Sequence, residues 1–169
     1  MEGRHGSRAA GDSILIMSST PASENPAAAT ATSRSTPAHS VSVLLYSDDI
    51  TTRDAVRVGV GRRPARDVEI VRWHECATAA AVTEAVETGA FDVLVLDGEA
   101  AKVGGMGLCR ELKSEIFECP PVLVLTGRPQ DGWLAAWSLA DAVVPHPLDP
   151  VALADAVSEL ARGVEPATA

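Results

Sequence analysis

From Val41 onward, short apolar runs alternate with longer stretches of mixed polarity. The runs are VSVLLY (41–46), DVEIVRW (67–73), FDVLVLD (91–97), PPVLVLTG (120–127) and DAVV (141–144). Their length and their Val and Ile content predict strands. The stretches between them carry helix punctuation. DDITTRDAVRVGVG opens on Asp and Thr and reaches Gly59 and Gly61, and ATAAAVTEAVETG (77–89) closes on Gly89. GLCRELKSEI (107–116) and DGWLAAWSLA (131–140) read as helices. DPVALADAVSELARG (149–163) has Pro in its first turn and Gly at its end, the usual asymmetry of a helix. A strand followed by a helix thus recurs five times. Strands almost continuous in apolar residues belong to a parallel sheet covered on both faces. The expected class is α/β, with five parallel strands and helices on both sides.

The first 40 residues lack this pattern. They are rich in Ala, Ser, Thr and Pro and bury too little apolar surface to offset the entropy of ordering. The expected organisation is a disordered tail over 1–40, one folded domain over 41–163 and a short tail over 164–169. SILIM (13–17) is too short for a signal-peptide apolar region. Met17 begins an ordinary flexible segment, which suggests it as the initiator.

Composition then narrows the function classes. An apolar content of 46% suffices for a core, and no apolar run is long enough to span a bilayer. A formal charge of −9 argues against nucleic acid as the main partner. Cys76, Cys109 and Cys119 have neither C-x-x-C spacing nor a paired His, and read as reduced thiols of a cytosolic protein.

In parallel α/β sheets, functional groups gather at the carboxyl ends of the strands. Those ends carry Ser47-Asp48-Asp49, Asp97, Thr126 and His146. Carboxylates, a hydroxyl and a would-be cation converge there. FDVLVLDGEAAKVGGMGLCRELK, with Gly105 eight residues after Asp97, resembles the phosphoacceptor strand and following helix of response regulator receiver domains. VLVLTG and HPLDP resemble that family's fourth and fifth strand endings. The likeness covers 41 to about 163 and implies a flavodoxin-like (βα)5 fold.

The resemblance also implies roles. Asp97 falls at the phosphoacceptor position. Asp48 and Asp97 would give carboxylates, and Glu99 its backbone carbonyl, to a Mg2+ ion, which takes hard oxygen ligands. Thr126 would donate to a phosphoryl oxygen, and a Lys would grip another, because phosphoryl transfer needs the moving charge neutralised. Each residue has a plainer reading. Asp97 serves equally as a relic that binds backbone amides, Asp48 as a helix cap beside Asp49, and Thr126 as a β-branched strand residue.

The departures from the family are as informative. Counted back from Arg53, the acidic pair of the first strand aligns with Ser47 and Asp48, so one acid is lost unless Asp49 contributes. Ala100-Ala101 stands for Met-Pro, Val143 for the aromatic switch residue and His146 for the Lys. An imidazole is shorter than Lys and mostly neutral at pH 7, so it grips a phosphoryl group less well. A polar strand-end residue with a structural role is the favoured reading of His146, and Mg2+ is expected to bind weakly or not at all. The segment from Thr126 to His146 is also two residues shorter than usual.

These features favour an atypical receiver that binds other proteins over a conventional one phosphorylated by a histidine kinase. The chain beyond the last helix is too short for an output domain, so a stand-alone receiver is expected. Trp133 and Trp137 lie four apart on the fourth helix, hence on one face. With Arg128 in the preceding loop they mark an expected docking surface, at least one Trp being exposed. The set YSDD, LDGEA, GGMG, VLTGRPQD and DAVVPHPLDP resembles an actinobacterial orphan receiver type linked to respiratory NADH dehydrogenase. That likeness implies a cytoplasmic protein, held at the membrane face through that complex. An enzyme of this fold is disfavoured, since no Gly-rich phosphate loop follows the first strand and no hydroxyl run suits a flavin phosphate.

Overall fold

The computed structural model describes residues 39–164. SILIM, Met17 and both expected tails, apart from their residues nearest the domain, lie outside that range. The elements are β1 (His39–Tyr46), α1 (Ile50–Val60), β2 (Val68–Cys76), α2 (Ala79–Thr88), β3 (Val93–Asp97), α3 (Gly105–Glu115), β4 (Val122–Thr126), a 3-10 turn (Pro129–Asp131), α4 (Gly132–Trp137), β5 (Ala142–Pro145) and α5 (Pro150–Gly163). The five strands are all parallel, in the order β2-β1-β3-β4-β5. The chain order reverses between β1 and β3, which opens a crevice at their carboxyl ends.

The period of two along the strands splits the core into two layers. Val43 and Leu45 of β1, Val93 and Val95 of β3, and Leu123 and Leu125 of β4 pack against α1 and α5. Leu44 and Tyr46, Leu94 and Leu96, and Val122 and Val124 pack against α2 and α3. Every residue of β3 and β4 is buried, which explains their unbroken apolar runs. Asp49, Thr78 and Asp149 cap α1, α2 and α5 through their side-chain oxygens. Gly61 ends α1 at φ 67°, a left-handed value that favours glycine.

Most boundaries lie within two residues of the pattern-based expectation, β1 beginning at His39 and α3 at Gly105, and two elements differ more. Edge strand β2 runs on to Cys76 through the exposed His74 and Glu75, because only its β1 side needs pairing. Its register shifts so that Ile70 faces Val41 and Arg72 faces Ser42, leaving Val71 as the extra residue of a bulge. Helix α4 is shorter than 131–140 at both ends. Its start is tightened into the 3-10 turn, and the chain leaves it at Leu139, which takes φ 64°. Among the described residues, no helix is long and apolar enough to cross a membrane. All three cysteines are free, and burial pushes the Cys109 thiol up to about 11, the behaviour of an inert core thiol.

Candidate functional site

The four strand ends named from the sequence do meet in one region. Asp97 closes β3 and is only 3% exposed. Its Oδ1 accepts from the backbone N–H of Glu99 (2.9 Å) and its Oδ2 from the hydroxyl of Ser47 (2.7 Å). Ser47, fully buried just past β1, also accepts from the N–H of Asp49 (3.1 Å). Arg53 of α1 fixes this corner. It donates through Nη1 to the Ser47 carbonyl (2.6 Å) and through Nε to Glu75 (3.1 Å). Both oxygens of Asp97 are therefore engaged from within the fold, as burial of a carboxylate demands.

The two aspartates after Ser47 divide their work. Asp49 caps α1, accepting from the Thr51 N–H (2.8 Å) and the Thr52 hydroxyl (3.3 Å). Those bonds engage the Asp49 carboxylate at the helix end and hold it below its usual range. Asp48 is not a cap. Its Oδ2 reaches across to the N–H of Ala101 (2.9 Å) in the loop after β3. A second bond holds that loop, from the Tyr46 phenol to the Val103 carbonyl (2.7 Å). Burial first, then the charges of Asp48 and Asp97, keep the Tyr46 hydroxyl above its ordinary value, so it remains a donor. Sequence pattern could not single out Tyr46, whose place at the end of an apolar strand reads as core.

Gly105 has a steric reason for standing eight residues after Asp97. A Cβ there would lie 2.6 Å from the Asp97 carbonyl oxygen, so only glycine lets α3 start so close to β3. Glu99 is exposed on the loop just past β3, and its carboxylate lies directly over Gly127 beside Thr126. Thr126 is buried at the end of β4 and donates its hydroxyl to the Arg128 carbonyl (3.3 Å), so it turns into its own loop. The backbone N–H of His146 donates to the Thr126 carbonyl (2.7 Å), and the His146–Pro147 bond is cis. The His146 imidazole is half-buried and takes no hydrogen-bond partner among the described residues.

Relatives share this chain's sequence over the same domain. An uncharacterised response regulatory protein of Mycobacterium tuberculosis strain H37Rv is 47% identical over 120 residues, 71% of this chain and 90% of the relative. The counterpart in strain CDC 1551 matches equally. The chain belongs to the response regulators. No family model matches it. Among solved structures, the receiver domain of a Francisella response regulator superposes with a TM-score of 0.62 at 16% identity, covering 74% of this chain and 99% of that one. A receiver domain of a Syntrophus aciditrophicus histidine kinase gives 0.61 at 20% identity, covering 76% and 96%. A chemotaxis response regulator of Vibrio cholerae gives 0.58 at 18%, covering 71% and 98%. At such identities these likenesses speak for the fold, which is that of a receiver domain.

Among the described residues no three His, Cys, Asp or Glu side chains cluster to hold a metal. A neutral hydroxyl stands beside Asp97 where a carboxylate would share a cation, and Asp48 has one oxygen committed to Ala101. On α4, Trp133 and Trp137 are 70% and 53% exposed. The Arg110 guanidinium stacks on the Trp137 ring (4.7 Å) and donates to its carbonyl (2.6 Å). Arg128 is exposed and, among the described residues, pairs with Asp131 (3.4 Å).

Proposed function

We propose that this receiver is an atypical one, a protein-binding regulatory or accessory module rather than an enzyme, with its phosphoacceptor pocket closed from within. The Ser47–Asp97 hydrogen bond carries this reading. It satisfies the buried carboxylate without a cation, and the imidazole of His146, shorter than a Lys side chain, grips a phosphoryl group less well. Val143, 37% exposed on β5, has no aromatic ring to report movement of Thr126. The surface offered to a partner is the one bearing Trp133, Trp137 and Arg128, since exposed Trp and Arg are the side chains that anchor interfaces. The partner we propose is the respiratory NADH dehydrogenase, with the receiver held on its cytoplasmic side.

One observation favours the conventional reading. Asp97, Thr126 and His146 still occupy neighbouring strand ends, and Oδ1 of Asp48 takes no hydrogen bond among the described residues. If Ser47 turned away, Asp97 would stand ready as an acceptor for a histidine kinase. Intact mass after incubation with Mg2+ and a small phosphodonor separates the two, with Asp97→Asn alongside. The closed-pocket reading expects no adduct on the folded protein. An adduct lost in Asp97→Asn returns the chain to phosphorylation-dependent signalling. Purified NADH dehydrogenase from the same cells, free of this chain, would remove the proposed partner.

A further inference from the structure

Charge is unevenly spread over the domain. Residues 53–75, covering most of α1 and nearly all of β2, hold six arginines against four carboxylates. The other described residues hold five Lys and Arg against fifteen Asp and Glu. The basic stretch is not neutralised locally. Glu75 is shared by Arg53 (3.1 Å) and Arg57 (3.0 Å), and Glu69 by Arg62 (2.7 Å) and Arg63 (3.3 Å). Arg66 makes no ion pair among the described residues. Arg57 also pairs with Asp54 (3.8 Å), so the arginine charge left over lies at Arg62 and Arg63, which share one glutamate, and at Arg66 and Arg72.

A groove of about 460 Å3 lies between α1 and β2 on this edge. Val58 of α1 is 82% exposed and the bulged Val71 of β2 is 58% exposed. Arg57 and Arg62 flank them, and Trp73 closes the wall. Val58 and Val71 are two exposed valines lining one groove, and its rim carries two arginines against the single carboxylate of Asp54, a balance that favours an acidic ligand. The groove lies at the β2 edge of the sheet, whereas Trp133 and Trp137 lie on the helix that follows β4, at the other side.

We infer that the α1–β2 groove binds an acidic protein segment that seats a large apolar side chain on Val58 and Val71. Carboxylates of the segment pair with the unmatched arginines. The bulge at Val71 and the charge of Arg72 disfavour addition of a further strand to β2, so recognition runs through side chains.

The test uses the full chain and a fluorescein-labelled peptide of eight glutamates flanking a central Leu-Phe pair. Fluorescence anisotropy is expected to show saturable binding that weakens as salt rises. Val58→Asp and Arg62→Glu, both at exposed positions, are each expected to weaken it at least about tenfold with the melting temperature unchanged. A peptide with Ser-Ser in place of Leu-Phe should bind correspondingly less. Absence of saturable binding overturns the proposal. So does binding indifferent to both substitutions, which places the peptide elsewhere, or equal binding of the Ser-Ser peptide. Binding of vesicles of anionic lipid without the peptide assigns the edge to a membrane instead. A dimer in sedimentation that Val58→Asp abolishes assigns the groove to a second copy.

Discussion

Ser47 and Asp97 end neighbouring parallel strands, and the serine hydroxyl donates to Oδ2 of the aspartate across 2.7 Å with both residues buried. A hydroxyl–carboxylate bond of this length is among the stronger kinds. Asp97 is thereby tied on one side to β1 and on the other to its own loop.

Ser47→Asp reverses that arrangement. It sets a second carboxylate against Asp97 with no donor between them. Loss of the bond and burial of a like charge are expected to cost about 1–3 kcal/mol, several degrees in melting temperature. Excess MgCl2 is expected to restore most of that loss in the variant and barely to move the wild type. Thermal scans in EDTA and in MgCl2 decide, and an equal response of both proteins to Mg2+ would contradict the closed pocket.

Much of this was legible in the sequence, for physical reasons. Unbroken apolar runs at β3 and β4 follow from burial on both faces, and the strand–helix alternation leaves few topologies open. The residues at the strand ends were therefore locatable. Their side-chain partners were not. Whether Asp48 or Asp49 caps α1 depends on one residue of register. The Asp48 contact to Ala101 spans 53 positions, which no local pattern encodes. The short α4 was missed because DGWLAAWSLA has good helix formers throughout, while the turn at Leu139 is imposed by the return into β5.

Two glycines of α3 make a paired test of the β3–α3 junction. Gly105→Ala would drive a methyl group to within 2.6 Å of the Asp97 carbonyl oxygen, a backbone atom that cannot turn aside. A destabilisation of about 1–3 kcal/mol is expected. At Gly107 a methyl group meets nothing within 4 Å. Gly107→Ala is expected to stabilise the helix by about 0.5–1 kcal/mol. Urea unfolding of both variants measures the contrast, and similar effects of the two would mean that α3 is not seated so tightly on β3.

A pH test follows from Asp67 and Arg162, which clasp the end of α5 to the chain entering β2. The two hydrogen bonds from the Arg162 guanidinium (2.8 and 3.0 Å) bring the Asp67 carboxyl down to about 2 from 3.8. A lowered folded-state value contributes stability that is present above pH 3.8 and lost as pH falls toward 2. Asp67→Asn is expected to flatten the acid limb of the stability profile in that window and to leave its slope near neutrality unchanged. Denaturant midpoints taken from pH 5 down to pH 2 on both proteins check this. An unchanged acid limb in the variant would show that the clasp does not survive in solution.

Trp133 and Trp137 look alike in sequence and differ in their surroundings, so substitution can separate binding from stability. Trp137 carries the Arg110 guanidinium on its ring, a contact worth about 0.5–1 kcal/mol at an exposed site. Trp137→Ala is expected to loosen α4 from α3 and lower stability by about that amount. Trp133 is 70% exposed and makes no such contact among the described residues, so Trp133→Ala is expected to leave stability within about 0.5 kcal/mol. If this face docks on the NADH dehydrogenase, Trp133→Ala should nonetheless deplete the chain from the purified complex. Arg110→Ala supplies the control, because it removes the Trp137 contact and keeps both rings. Depletion by Trp133→Ala with an unaltered unfolding curve ties the exposed ring to binding. Retention of Trp133→Ala at the wild-type level would move the docking surface off α4 and toward another face of the domain.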